Sequence, residues 1–315
     1  MTFMDEVLIC KDLRKKFGSR PAVDGISFAV KKGQCYGLLG PNGAGKTTTI
    51  SMACGLMEKD SGEVIVDGKK LLHTSTAEKM AIGYVPQDLA LYPELSVADN
   101  IRFFGRLYGI ESKELSKRID SVLELVGLND RKNDRVGTFS GGMKRRANIA
   151  VGLVHSPLLL VLDEPTVGVD PQSRNAILEA VQNLIADGLA VLYTTHYMEE
   201  AERLCHLIGI VDSGKLIAEG TKHSLVGAVN SSKRIKIRFD EFNASYVKIF
   251  DEISFVDYVE QKANEIEIIL NNDNIQIADI FKNVGEISSA IISAEIVEPN
   301  LESVFLSLTG KELRD

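Results

Sequence analysis

The stretch Gly40-Pro41-Asn42-Gly43-Ala44-Gly45-Lys46-Thr47-Thr48 constrains this chain more than any other. It fits the pattern G-x-x-x-x-G-K-[ST], so its flanks decide what it means. Cys35–Leu39 reads as a short buried strand, and residues 47–56 read as a helix opening at the loop. Strand, glycine loop and helix N-terminus together aim backbone N–H groups and a helix dipole at a polyphosphate. Glycines at 40, 43 and 45 let the backbone wrap phosphates without Cβ clashes. Lys46 then reaches the β- and γ-phosphates, and the Thr47 hydroxyl ligates Mg²⁺. The competing reading is a Gly-rich turn before an ordinary helix, and both flanks speak against it.

Further along, residues 158–162 are five consecutive apolar residues, as in a fully buried parallel strand, followed by Asp163-Glu164-Pro165. Carboxylates at the C-terminal end of such a strand sit where α/β sheets place their chemistry. Asp163 there can hold Mg²⁺, and Glu164 can take a proton from water. A purely structural role is disfavoured, because burying unpaired carboxylates is costly. Other positions stay ambiguous when taken singly. Gln87, after a strand at 81–85, suits Mg²⁺ coordination or plain solvation. His196, after a strand at Ala190–Thr195, is a candidate contact or a satisfied surface residue. Ser140-Gly141-Gly142 opens a helix and is either a second anion site or a loop with an N-cap serine. Phe17 could stack on an adenine ring or fill a hairpin core.

The remaining pattern supplies the frame. Strands at 7–10 and 26–30 bracket a turn-rich segment, and a strand at 62–67 closes on the turn Asp67-Gly68. From Ser96 to about Val154 the periodicity is helical. Ser96 and Asp99 form a capped start, and Leu115, Ile119, Val122, Leu123 and Val126 make one apolar face that stops at Gly127. This block, about residues 90–155, is expected as a helical subdomain inserted into a β/α core. Met198–Leu204 reads as a helix, and 208–211 with 215–218 as a hairpin closing the domain.

In this order and spacing, residues 5–225 resemble the ATP-binding cassette of ABC transporters. The resemblance implies an α/β P-loop NTPase fold, with a RecA-like core, an antiparallel β subdomain and the inserted helical subdomain, over residues 1–228. It implies that Phe17 stacks on adenine, that 40–48 is the Walker A loop and that 158–163 is the Walker B strand. It casts Glu164 as general base, Gln87 as the Q-loop glutamine, His196 as the switch histidine and Val169-Asp170 as the D-loop. Lys46 and residues 40–48 hold ATP, while Thr47, Gln87 and Asp163 serve Mg²⁺. Ser140, Gly141 and Gly142 match the signature motif, which completes the ATP site of a second copy. One Walker A and one signature per chain therefore imply a head-to-tail homodimer. Phe139 and Met143 replace the commoner Leu and Gln, and the run Phe139 to Arg146 is similar to drug-resistance and sodium-extrusion ATPases serving ABC-2 exporters. A polytopic membrane permease is the implied partner. Residues 88–93 suit its docking surface or the subdomain core.

From residue 229 onward the chain changes character. Ile235, Ile237 and Phe239 alternate with Lys236 and Arg238 as in a half-exposed strand. Tyr246, Ile249, Phe250 and Ile253 make an amphipathic helix face. Strands are expected at 266–270 and Ile291–Val297, with a helix carrying Ile277, Ile280, Phe281 and Val284 between them. Asn300 then caps a last helix with Leu301, Val304, Phe305 and Leu308 on one face, stopped at Gly310. This is a small α+β accessory or regulatory domain over 229–315, similar to the C-terminal extension of the drug-export subgroup.

Composition narrows the partners. Of a net charge of −8, nearly all lies in the tail, which holds 9 basic and 16 acidic residues. Neither part has the basic excess of a nucleic-acid binder. Met1 to Asp5 lacks the start of a secretory signal, and no apolar run reaches the ~18 residues of a membrane span. The cysteines Cys10, Cys35, Cys54 and Cys205 form no CxxC pair and are expected as reduced thiols of a cytosolic protein. The protein is thus expected on the cytoplasmic face of a membrane through its permease. Alternatives are an importer ATPase with a regulatory tail, a soluble ABC ATPase acting on ribosomes or DNA, and a P-loop kinase. The last leaves Ser140–Gly142 and His196 without a role.

Overall fold

Strands β3 (Cys35–Leu39), β7 (Leu159–Asp163) and β8 (Ala190–Thr195) are buried at every position. Only a sheet covered on both faces can accommodate such runs. The computed structural model describes residues 5–228, 234–254, 256–270, 291–297 and 300–309. In it these strands join β6 (Ile82–Val85), β9 (Leu207–Asp212) and β10 (Lys215–Gly220) in the order β10-β9-β3-β8-β7-β6. All neighbours pair in parallel except the β9–β10 hairpin. Side-chain alternation then builds two cores. Leu160, Leu162, Val191 and Tyr193 face the helices α2 (Val97–Leu107), α3 (Ser112–Leu125), α4 (Gly141–Leu153) and α5 (Pro171–Ala186). Leu159, Val161, Ala190 and Leu192 face α1 (Lys46–Ala53) and a second sheet, made in spatial order of β2 (Arg20–Lys31), β1 (Glu6–Phe17), β4 (Ser61–Val66) and β5 (Lys69–Lys70).

That second sheet differs from the expected pair of short strands around turns. β1 (Glu6–Phe17) and β2 (Arg20–Lys31) each run for 12 residues and pair through the whole segment. Register shifts between Cys10 and Leu13, with Asp12 at φ 45, break the alternation and make the strand look as if it ends at Cys10. β4 (Ser61–Val66) turns through Asp67-Gly68, both at positive φ, into the short β5 (Lys69–Lys70). Leu158, expected inside the Walker B strand, lies outside β7 and is exposed. The helical block starts as expected, with Ser96 Oγ accepting from Asp99 N at 3.0 Å and Asp99 in the first turn. Helix α6 (Met198–Leu204) connects β8 to β9.

The chain divides into two units, Met1–Lys222 and His223–Glu312, near the start of α7 (Lys222–Ala228). In the second unit β11 (Arg234–Phe239), β12 (Val256–Lys262), β13 (Glu265–Leu270) and β14 (Ile291–Val297) form an antiparallel sheet ordered β12-β13-β11-β14. Ile235, Ile237, Phe239, Ile266 and Ile268 meet Phe250 of α8 (Ser245–Asp251) in its core. The alternate residues Arg234, Lys236 and Arg238 pair with Glu265 and Glu267. Strand β12 was not expected, because among its residues only Val259 is buried. In α9 (Leu301–Thr309) Leu301, Val304 and Phe305 are buried, whereas Leu308 is exposed. The helix expected around Ile277 to Val284 and the stop at Gly310 lie outside the described residues. No helix among the described residues is long and apolar enough to cross a membrane.

One contact sets how closely α4 lies on the parallel sheet. A Cβ on Gly83 of β6 would stand 2.2 Å from the Gly152 carbonyl oxygen of α4. Gly83→Ala should therefore destabilise the fold by about 1–3 kcal/mol, read as a lower denaturant midpoint with an unchanged m value.

Candidate functional site

Parallel pairing brings the C-terminal ends of β3, β8, β7 and β6 to one edge. Residues 40–48, His196, Asp163-Glu164 and Gln87 leave the sheet there. The loop after β3 runs into α1, whose N-cap Gly45 has φ 105. A Cβ at that position would stand 2.4 Å from the Ala22 carbonyl oxygen, so only glycine fits. Lys46 folds back along the loop and donates to the carbonyls of Gly40 (2.8 Å) and Pro41 (3.1 Å). Its ammonium also pairs with Glu164 Oε1 at 3.0 Å, both side chains being under 10% exposed (4% and 7%).

Asp163 is held by hydroxyls. Thr194 Oγ1 donates to its Oδ1 at 2.7 Å and Thr47 Oγ1 lies 3.4 Å from the same oxygen. The Thr194 hydroxyl also accepts from Glu164 N at 3.0 Å. That single threonine thus fixes both carboxylate residues, and the sequence offered no signal for it beyond a polar strand end. Glu164 itself sits at φ 44, a conformation disfavoured for a side-chain-bearing residue and held here by its surroundings. His196 Nδ1 lies 3.4 Å from Glu164 Oε2, and it is a buried atom without a hydrogen bond among the described residues.

Other singled-out residues stand apart from this cluster. Val85 pairs with Leu162, so Gln87 emerges one strand over from Asp163 and Glu164, with its residue exposed. Phe17 is 54% exposed at the tip of the β1–β2 hairpin, so it does not fill a hairpin core. Ser140 caps α4 by accepting from Met143 N at 3.2 Å. Gly142 packs so tightly on α5 that a Cβ would stand 2.0 Å from Ser173 Oγ. Arg145, also on α4, donates to the backbone carbonyls of Pro86 (3.3 Å) and Gln87. Asn148 Oδ1, one turn on, accepts from Ala90 N at 3.3 Å. Both hang the segment after β6 from α4, a role that sequence reading missed. Of residues 88–93, Leu89 and Tyr92 are exposed, whereas Leu91 packs on the helical core. All four cysteines are free, and burial pushes the thiols of Cys10, Cys35 and Cys54 up and away from reactivity.

These residues fit a polyphosphate with a hard cation. The glycine loop excludes side chains, and Thr47 and Asp163 offer adjacent oxygens. Mg²⁺ usually takes one or two protein oxygens beside phosphates and water. No cluster of three or more acidic, His or Cys residues capable of holding a metal occurs among the described residues.

Known proteins are similar to this chain along nearly its whole length. A family model described as ABC transporter matches residues 23–167. The chain is 44% identical over 311 residues to the linearmycin resistance ATP-binding protein LnrL of Bacillus subtilis, covering 98% of this chain and 100% of that protein. It is 36% identical to the Nod factor export ATP-binding protein I of Cupriavidus metallidurans, covering 99% and 100%. Among solved structures, an ATP-binding subunit of an ABC transporter aligns at TM-score 0.64 and 31% identity, over 70% of this chain and 92% of that one. A dimeric ATP-binding cassette in a post-hydrolysis state with ADP and Pi aligns at TM-score 0.61 and 25% identity, over 68% and 98%.

Burial first, and then the neighbouring Glu164 carboxylate, push the Asp163 carboxyl above its usual value against the opposing pull of the Thr194 and Thr47 hydrogen bonds and of Lys46. A raised native value means that the ionised form costs stability at neutral pH, a cost that fades as pH falls through that value. Asp163→Asn keeps the shape and removes the charge. It should raise the thermal midpoint at pH 7, by about 2–4 °C per kcal/mol recovered, and the gain should shrink in acid.

Proposed function

The chain belongs to the ATP-binding subunits of ABC transporters, and from that membership we propose that it powers an ABC-2 type exporter whose membrane-spanning part is a separate chain. The buried ion pair between Lys46 and Glu164, beside Thr47 and Asp163, carries the reading of the site. Residues 40–48 bind the phosphates through backbone N–H groups, and Phe17 covers the adenine. Thr47, Asp163 and Gln87 offer oxygens to Mg²⁺, which shields phosphate charge when bound. A γ-phosphate competes with Glu164 for the Lys46 ammonium. The freed carboxylate then takes the proton of the attacking water, with His196 against the γ-phosphate. Gly142 and the Ser140 cap at the N-terminus of α4 face the nucleotide of a second copy, so two chains working head to tail complete two sites.

Export as the direction of transport is supported by the relatives named for linearmycin resistance and Nod factor export, which match over their full length. The exposed apolar residues Leu89, Tyr92, Phe103 and Leu107 suit contact with the permease, and such a partner would hold the chain at the cytoplasmic face of the membrane. The second unit, taken as an accessory domain from about residue 229, serves dimer stability or regulation.

Glu164→Gln should retain ATP binding, slow phosphate release by about 100-fold or more and accumulate as a dimer in light scattering with ATP. Rapid hydrolysis by this variant would place the base elsewhere. Affinity capture from the native membrane should bring down a polytopic chain, whereas ribosomes or DNA in its place would leave an ATPase that serves no transporter.

A further inference from the structure

Glu200 of α6 is 1% exposed, yet it plays no part in the site as described so far. An ionised carboxylate so far from water costs several kcal/mol unless its oxygens are filled. Here they are filled by hydroxyls: Thr166 Oγ1 donates to Oε1 at 2.6 Å, and Thr195 Oγ1 (2.8 Å) and Tyr193 Oη (3.0 Å) donate to Oε2. Arg174 Nε stands 3.6 Å from Oε1, and the Arg174 guanidinium lies 4.4 Å over the Tyr197 ring.

The positions of these partners matter more than their number. Thr166 follows Glu164 by two residues. Thr195 immediately precedes His196, and its hydroxyl also accepts from Tyr197 N at 2.9 Å, pinning the backbone on both sides of that histidine. Arg174 lies in the first turn of α5, whose N-cap is Asp170. One carboxylate therefore ties together the segments that carry Glu164, Asp170 and His196. Stability alone would be served as well by apolar side chains in place of the carboxylate and its hydroxyl donors.

We infer that Glu200 is a positioning residue for ATP hydrolysis, fixing the spacing of Glu164 and His196 through Thr166 and Thr195. The inference rests on the roles assigned to Glu164 and His196 above. Glu200 touches no reacting atom. It acts by holding the proton acceptor and the γ-phosphate contact in one geometry, and a misplacement of about 1 Å in such groups can cost 100-fold in rate.

The test is steady-state ATPase kinetics of the full-length chain carrying Glu200→Gln, Glu200→Leu or Thr195→Val, with Glu164→Gln as reference. In the glutamine variant the side-chain oxygen can accept from Thr195 and Tyr193, and its amide can donate to the Thr166 hydroxyl. Its kcat should stay within about 3-fold of wild type. Glu200→Leu and Thr195→Val should each lower kcat by about 10- to 100-fold while the KM for ATP moves by less than about 3-fold. Thr195→Val keeps side-chain shape and decides the matter if the leucine variant fails to fold. Wild-type kcat in Thr195→Val, or a glutamine variant as slow as the leucine one, would overturn the inference. Full activity in Glu164→Gln would remove the underlying assignment as well. An inactive Glu164→Gln beside an unimpaired Thr195→Val removes the positioning role alone.

Discussion

Three charged side chains lie almost wholly out of water at one edge of a parallel sheet: Lys46, Asp163 and Glu164. Each would cost several kcal/mol if left alone there. The chain offsets this by pairing Lys46 with Glu164 and with the loop carbonyls, and by filling Asp163 with hydroxyl hydrogen bonds. Such compensation works only if the donors are placed within tenths of an ångström. The continuous apolar strands do that work, because β3, β7 and β8 are locked in register by cores on both faces. The left-handed conformation at Glu164 belongs to the same economy, since two hydrogen bonds from its backbone N–H to Thr194 hold the residue where the strand ends.

Helix α4 extends that order away from the sheet. Its N-terminus carries Ser140 and Gly142, and its inner face carries Arg145 and Asn148, which grip the backbone from Pro86 to Ala90. The Gly83–Gly152 approach keeps the same helix against β6. Ser140 and Gly142, proposed above to serve a second copy's nucleotide, and the segment bearing Gln87 are therefore fixed to one helix. Any tilt of α4 moves both, because Arg145 and Asn148 hold the backbone from Pro86 to Ala90 to the same helix that Ser140 caps.

Much of the fold was legible in the sequence because its signals are local. The apolar run before Asp163, the glycine loop before Lys46 and the Ser96 cap each declare themselves within a few residues. The misreadings share a cause too. A bulge at Asp12 interrupts the period-2 pattern of β1 without ending the strand, and β12 presents too few buried residues to show any pattern. Leu158 is apolar and continuous with β7, yet the strand begins one residue later, which no hydropathy pattern can mark.

The site was legible to a different depth. Residues 40–48, Asp163 and Glu164 stand out because each belongs to a short motif at the end of a strand, and His196 takes its meaning only from its place among them. Thr194, Glu200 and Arg145 do not stand out, because what they do is defined only by distant partners. Thr194 meets Asp163 across 31 positions of sequence, Glu200 meets Thr166 across 34, and Arg145 meets Gln87 across 58. A threonine in a strand reads as a β-former and a glutamate in a short helix as a solvated face. Only folding shows that the first bridges two carboxylate residues and that the second is buried among hydroxyls. The groups to which the chemistry is assigned were readable because they need particular local backbones. The groups that hold them in place need only be polar and present when the strands come into register.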